Sequence, residues 1–85
     1  MEIEYSSHFR KAYKKLEISV QKKAEQVEAW FRENPFHPLL NTHKLHGKLK
    51  EFYSFSINPR NRIVFKFIGK NKAVFLDVGD HEIYR

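Results

Sequence analysis

Three short segments with an apolar pattern, separated by turn signals, most constrain how this chain can fold. Residues 52–57 and 62–67 each alternate apolar and polar side chains, and residues 73–78 are mostly apolar. A proline suited to a tight turn lies within residues 58–61, and a glycine opens residues 69–71. Alternation with a period of two is typical of β-strands. The second half of the chain therefore predicts a three-stranded antiparallel meander, with the last strand apolar enough to lie inside the sheet.

The first half of the chain predicts a strand and two helices. Residues 2–5 form a short alternating segment, and apolar residues then recur at helical spacing over 9–16 and again over 20–31. Pro35 ends the second helix, because the residue before a proline is pushed out of the α region. The predicted order is β-α-α-β-β-β. It is typical of an α+β domain in which a helical hairpin covers one face of an antiparallel sheet.

Length and composition limit the classes of protein to which the chain can belong. Its 85 residues predict a single domain over residues 1–85. Without cysteine, the chain has neither disulfides nor a thiolate metal site, so a core rich in aromatic residues must hold it together. No apolar run approaches the roughly 20 residues that cross a bilayer, and the N-terminus lacks the apolar stretch of a secretory signal. We expect a cytoplasmic protein with no membrane partner, no metal and no cofactor.

The positive charge is concentrated in one segment. The net charge is +6, yet the stretch from Lys44 to Lys72 contains eight basic residues and the single acid Glu51, which makes it +7. Clustered cations favour a polyanionic partner, because neutralising phosphates releases counterions. A basic surface that serves only solubility is the alternative. In the predicted sheet, the face that the hairpin leaves free carries two of these cations and two hydroxyls: Arg62, Lys66, Ser54 and Ser56.

Four short motifs follow one another in this chain. They are K-L-x-G-x-L at 44–49, Y-S-x-x-I at 53–57, R-I-V-F at 62–65 and G-x-H-x-x-Y at 79–84. Their order and spacing resemble the RelE/ParE superfamily of toxin–antitoxin toxins, above all the mRNA-cleaving branch with RelE, YoeB and YafQ. The N-terminal strand and the helical hairpin match as well, so the resemblance covers essentially the whole chain.

The resemblance implies a fold like that of microbial ribonucleases and a function in translation inhibition. Such toxins cleave mRNA in the A site of the 30S ribosomal subunit, and a cognate antitoxin neutralises them. An acidic, partly disordered antitoxin segment suits a basic face. Some relatives of the ParE branch instead inhibit DNA gyrase and are not nucleases. A catalytically inactive relative that only binds its antitoxin is a third interpretation.

The resemblance also implies roles for individual residues. Metal-free RNA cleavage uses the 2′-hydroxyl as nucleophile, and it needs a base, an acid and a cation for the developing charge. Histidine suits the proton transfers. His81 matches the C-terminal catalytic histidine, Arg62 the arginine that binds the scissile phosphate, and Tyr84 an aromatic residue that stacks on a base or assists the chemistry. His43 matches the base, although His46 is close enough to compete for that role.

Further basic residues are predicted to contact RNA: Lys44, His46, Lys48, Lys50, Arg60, Lys66 and Arg85. Of these, Lys44, Lys48 and Lys50 resemble the loop lysines that contact mRNA or ribosomal RNA in the family. Each role has an ordinary structural alternative. Loop lysines are often simply solvated, His81 can cap or lie in a loop, and Tyr84 can pack on the sheet. For Arg62 or Arg60 the alternative is a salt bridge to an acid such as Asp77 or Glu51.

One residue departs from the family pattern. Asp77 lies in the last strand, where other nucleases of the family have an arginine. Phosphate binding would then depend on Arg62 and Arg60, or on Arg85 at the terminus, and whether Asp77 weakens or abolishes cleavage stays open. His8 and His37 match no catalytic position, so we expect both to be surface residues.

Overall fold

The computed structural model describes residues 1–47 and 51–80, and the predicted order of strands and helices is confirmed with one added strand. A short 3-10 turn, Pro38–Leu40, lies in the loop after the second helix. The elements are β1 (Glu2–Tyr5), α1 (Ser7–Lys14), α2 (Ile18–Glu33), β2 (His43–Lys44), β3 (Tyr53–Ser56), β4 (Arg62–Gly69) and β5 (Lys72–Gly79).

The strands of the described residues form one sheet in the order β1-β5-β4-β3-β2. The predicted meander is present, because β3 pairs with β4 and β4 with β5, both antiparallel. The sheet as a whole is mixed rather than purely antiparallel, since β1 lies parallel to β5. The helical hairpin brings the chain away from β1, and a parallel pair needs such a long connection. At the other edge, β2 extends the sheet by pairing antiparallel with β3.

The two helices begin and end where local chemistry sets them. The side chain of Ser6 caps α1, since its Oγ accepts a hydrogen bond from the Phe9 N–H at 3.0 Å. α2 follows Glu17, whose side chain makes no capping hydrogen bond. It ends at Glu33, and its C-cap residue Asn34 is the residue before Pro35. None of the helices in the described residues is long and apolar enough to cross a membrane.

Phe31 of α2 lies at the centre of the core. Its ring is fully buried, and ring centroids of Phe55, Phe65 and Phe75 lie 5.0, 4.9 and 5.2 Å away, one from each strand of the meander. Stacked (Phe55) and edge-to-face (Phe65, Phe75) contacts at these distances add to the burial of apolar area. The helices therefore cover one face of the sheet, and the opposite face is the one on which a site can form.

A β-bulge in β5 changes which side chains lie on each face. Phe75 pairs with Phe65, but Asp77 rather than Leu76 pairs with Val64, so Leu76 is the extra residue. With regular alternation, Asp77 would project from the same buried face of the sheet as Phe75. The bulge instead places Asp77 on the free face and buries Val78 in the core.

Ser6, the residue between β1 and α1, forms hydrogen bonds to the bulged segment of β5. Its N–H donates to the Phe75 carbonyl at 3.0 Å, and its Oγ donates to the Leu76 carbonyl at 3.2 Å. The same oxygen caps α1. One residue therefore joins the start of the first helix to the irregular part of β5.

Tyr5 ties β1 to α2 through a polar cluster. Its hydroxyl donates a hydrogen bond to Glu28, and Arg32 donates to both the Tyr5 oxygen at 3.1 Å and the Glu28 carboxylate at 3.0 Å. Burial, followed by the hydrogen bond and charge of Glu28, raises the pKa of Tyr5 to about 12.

Alkaline pH should therefore weaken the fold in part through Tyr5. The unfolded chain releases the phenolic proton near pH 10, whereas the folded chain keeps it up to about pH 12. The stabilisation is complete below the unfolded pKa and is lost as the pH rises through the folded pKa. Tyr5→Phe should remove this part of the pH dependence. Urea unfolding midpoints at pH 8 and pH 11 measure it, and an equal loss of stability in both proteins would contradict the assignment.

Candidate functional site

Two rows of paired residues cross the free face of the sheet. In the first row, His43 on β2 pairs with Ser54 on β3, which pairs with Val64 on β4, which pairs with Asp77 on β5. Residues paired in this way project from the same face, because side chains of a sheet alternate with a period of two. The register confirms that Ser54 lies on this face, but its side chain is fully buried (0% exposed), so its hydroxyl is not open to a ligand.

The second row lies two residues along the same strands. Ser56 on β3 pairs with Arg62 on β4, and Arg62 pairs with Gly79 on β5. Lys66, further along β4, pairs with Val74 and lies on the same face. The predicted set of hydroxyl and cationic side chains therefore shares the surface opposite the helices.

The hydrogen bonds of His43 define which ring nitrogen is basic. Its Nδ1 lies 3.0 Å from the carbonyl oxygen of Asn41, and a carbonyl only accepts hydrogen bonds. Nδ1 must therefore carry a proton, which leaves the lone pair of the neutral ring on Nε2. Nε2 lies 3.4 Å from the Oγ of Ser54, on the free face. Asn41 adopts a left-handed conformation (φ 52°), which asparagine tolerates better than most residues.

The guanidinium of Arg62 is held by Ser56, which accepts a hydrogen bond from Nη1 at 2.8 Å. Neither alternative salt bridge is present, because Asp77 pairs with His8 instead and Arg62 makes no ion pair within residues 1–47 and 51–80. A half-buried guanidinium without a carboxylate partner in the described part of the chain suits an anionic ligand, and its fork of N–H donors fits phosphate oxygens.

His43 and Arg62 are close enough to act on one ligand. β3 separates their strands, so they lie about 10 Å apart across the sheet and roughly 7 Å apart along it. The Cα atoms are thus roughly 12 Å apart, and both side chains are long. A phosphodiester bound between these two side chains, over the half-buried Ser56, would have a proton acceptor on one side and a cation on the other.

The remaining cations predicted to contact RNA do not all join this site. Lys44 pairs with Tyr53, so it projects from the face opposite to that of His43. His46 is exposed beyond β2, and no contact ties it to His43 or Arg62. Arg60 is exposed in the turn before β4, where its N–H donates to Asn58 at 2.9 Å. Of the two candidate bases, His43 is the one on a strand of the sheet.

Five residues with predicted roles lie outside the described residues: Lys48, Lys50, His81, Tyr84 and Arg85. Among the residues that are described, no group of three or more histidine, aspartate or glutamate side chains could hold a metal ion.

The two histidines without a predicted catalytic role differ in their surroundings. His37 is half-buried, stacks on Trp30 with centroids 5.2 Å apart, and accepts a hydrogen bond from the Leu39 N–H. His8 is exposed, but its Nε2 lies 3.1 Å from Asp77 Oδ1. No sequence signal could have revealed this pair, because its members are far apart in the chain and meet only through the bulge at Leu76.

Comparison with known proteins matches both the sequence and the fold. A family model described as the ParE-like toxin domain matches residues 18–85. No curated protein sequence matches the chain significantly.

Solved structures with the same fold include three toxins. A YoeB/ParE toxin from Agrobacterium tumefaciens has a TM-score of 0.80 at 16% identity, covering 95% of this chain and 99% of its own. YafQ from E. coli has a TM-score of 0.75 at 21% identity, covering 98% and 96%. The heterotetrameric YoeB–YefM toxin–antitoxin complex from Staphylococcus aureus matches with a TM-score of 0.76 at 21% identity, covering 95% and 97%.

Proposed function

Because this chain belongs to the ParE-like toxin family, within the RelE/ParE superfamily of toxin–antitoxin toxins, we propose that it is an endoribonuclease that cleaves mRNA on the ribosome and so inhibits translation. The observation that carries the proposal is the arrangement on the free face. His43 Nε2 and the Arg62 guanidinium lie on either side of Ser54 and Ser56, and Arg62 has no carboxylate partner among the described residues.

The proposed reaction is an acid–base transesterification. His43 Nε2 takes the proton of the 2′-hydroxyl, and the 2′-oxygen forms a bond to the adjacent phosphorus. Arg62 stabilises the charge that develops on the phosphoryl oxygens. The bond from phosphorus to the 5′-oxygen then breaks, and His81 supplies the proton to that oxygen. The products are a 2′,3′-cyclic phosphate and a 5′-hydroxyl. Tyr84 stacks on a neighbouring base in this proposal.

Programmed ribosomes provide the direct test. Purified protein added to 70S ribosomes with an mRNA in the A site should give cuts at codon-related positions, with 2′,3′-cyclic phosphate ends. A supercoiling assay with DNA gyrase runs in parallel. Uncut mRNA together with gyrase inhibition would identify the ParE-type activity instead. Uncut mRNA, active gyrase and normal growth on overexpression would identify an inactive, antitoxin-binding relative.

Replacing Arg62 should show which arginine binds the scissile phosphate. Arg62→Gln should lower the cleavage rate on programmed ribosomes by about 10²-fold, because one preorganised charge donor in a site contributes this much. Arg60→Gln has the same change in charge two residues away and should stay within a few-fold of wild type. A large loss in Arg60→Gln with an active Arg62→Gln would transfer the phosphate-binding role to Arg60.

We extend the proposal to the partner and the place of action. A cognate acidic antitoxin would neutralise the protein in the cytoplasm, covering the basic free face by folding on it. The Staphylococcus aureus YoeB structure with YefM gives an example of such a toxin–antitoxin assembly. Co-expression of a small acidic protein encoded by the adjacent gene should restore growth to cells that overexpress this protein.

A further inference from the structure

A cleft of about 420 Å³ lies between α1 and the carboxyl end of β5, beside the candidate site. Of the described residues assigned above to the cleavage reaction, neither His43 nor Arg62 lines it. One wall is helical and carries cations, and the other is formed by the strand ends and the turn before β4. The residues that matter here are His8, Lys11 and Lys15 on the first wall, and Asn61, Gly79 and Asp80 on the second.

The basic side chains of the helical wall form one stripe along α1 and its C-cap residue, Lys15. His8, Lys11 and Lys15 follow one another at i, i+3 and i+7, which places them on the same side of a helix. All three side chains are exposed, and α1 contains no acidic residue. At 1.5 Å per residue, the stripe is about 10 Å long. A stripe of that length can contact more than one phosphate of an extended nucleic-acid strand.

Acidic groups near the stripe do not cancel its charge. The carboxylate of Asp77 is held by His8 at 3.1 Å and by the Val78 N–H at 2.8 Å. Asp80 lines the cleft itself. An adjoining cleft of about 460 Å³ shares Lys15 and Asp80 with the first and adds Arg60 and Glu17. Lysine and arginine side chains (Lys11, Lys15 and Arg60) outnumber the carboxylates that line the two clefts (Glu17 and Asp80), which favours an anionic ligand.

The cleft is continuous with the position of the proposed scissile phosphate. Gly79 lines the cleft, and it is also the residue that pairs with Arg62. Neighbouring strands lie about 4.8 Å apart, so a strand of RNA leaving Arg62 reaches the mouth of the cleft within a short distance. Because residue 79 is glycine, no side chain at this position stands between Arg62 and the cleft.

We propose that this cleft is a second phosphate-binding subsite, which holds the backbone of the substrate RNA next to the phosphate bound at Arg62. Lys11 and Lys15 contact the phosphates. The proposal rests on the proposed ribonuclease function and adds the path of the RNA to it. It also extends the RNA-binding surface beyond the segment 44–72, where the sequence concentrates its charge.

Paired charge variants test the subsite. Lys11→Gln/Lys15→Gln removes two charges from the cleft wall. Lys14→Gln/Lys22→Gln removes two charges elsewhere, because Lys14 lines the separate cleft between α1 and α2 and Lys22 is exposed on α2, outside segment 44–72. The ligands are single-stranded 2′-O-methyl RNAs, which lack the nucleophilic hydroxyl: a trinucleotide and an oligomer of about nine nucleotides.

The cleft variant should bind the longer oligomer about tenfold more weakly than wild type, and the slope of log K against log salt should fall by about 1.4, as expected for two lost phosphate contacts. The control variant should stay within about threefold of wild type. Binding of the trinucleotide, which is too short to occupy both subsites, should be the same in the cleft variant as in wild type.

Three outcomes would overturn the subsite. They are equal losses in the two double variants, an equal loss with both lengths of RNA, and a defect seen only on ribosomes, which would indicate contact with ribosomal RNA instead of substrate. Failure of the ribonuclease function itself looks different. The wild-type protein would then leave mRNA uncut on programmed ribosomes, whatever the variants do.

Discussion

His43→Gln is expected to lower the rate of mRNA cleavage by about 10²- to 10³-fold, within the range of general acid–base catalysis. Glutamine keeps a hydrogen-bonding side chain of similar reach but cannot accept the proton of the 2′-hydroxyl. The Asn41 carbonyl directs the Nε2 lone pair of His43 toward the free face, and glutamine has no such basic nitrogen. Single-turnover cleavage on programmed ribosomes, with saturating protein, measures the chemical step apart from binding.

His46→Gln is the matched control for this experiment. It removes an exposed imidazole three residues away that has no contact with Ser54 or Arg62 in the described residues. The rate should stay within a few-fold of wild type. A severe loss in His46→Gln with an active His43→Gln would make His46 the base, which is the alternative that the sequence leaves open.

Phe31→Ala is expected to destabilise the protein by about 3–5 kcal/mol, the usual cost of removing a large buried aromatic side chain. Domains are stable by only about 5–15 kcal/mol, and a chain of this size belongs at the lower end. Phe31 touches aromatic rings from all three strands of the meander, so the cavity would open at the one place where they meet. We expect the variant to be largely unfolded at 37 °C.

Phe36→Ala is the matched control for the core. It removes the same side chain from the loop after α2, where the residue is 54% exposed and its ring makes an edge contact with Tyr53 and a tilted contact with Phe67. Urea unfolding followed by circular dichroism should show a loss of about 1 kcal/mol or less. Equal losses in the two variants would mean that Phe31 does not centre the core as the packing indicates.

The sequence predicts the elements of this fold well, because each one carries its own pattern. The helical spacing before Pro35 and the period of two in residues 53–56 and 62–67 are local signals, and both elements form where the patterns lie. The two-residue strand His43–Lys44 is too short to show any period. The parallel pairing of β1 with β5 leaves no local trace either, since it depends on where the hairpin ends.

The candidate site is predictable only in part, for a related reason. Simple alternation predicts that Arg62, Ser54 and Ser56 lie on the same face of the sheet, and the strand register agrees with this prediction. The separation of His43 from Lys44 onto opposite faces depends on β2, which the sequence does not reveal. The pairing of Asp77 with His8 depends on the bulge, and no periodicity identifies a bulge in an apolar strand.

The bulge at Leu76 also governs how length changes in β5 would act. Deleting Leu76 would remove the bulge without exchanging the faces, because Asp77 would then follow Phe75 directly and stay on the free face, while Val78 would stay in the core. A relative that lacks the bulge has one residue fewer here, so the gap in an alignment belongs at Leu76. An alignment without this gap would compare core residues with surface residues over the rest of the strand.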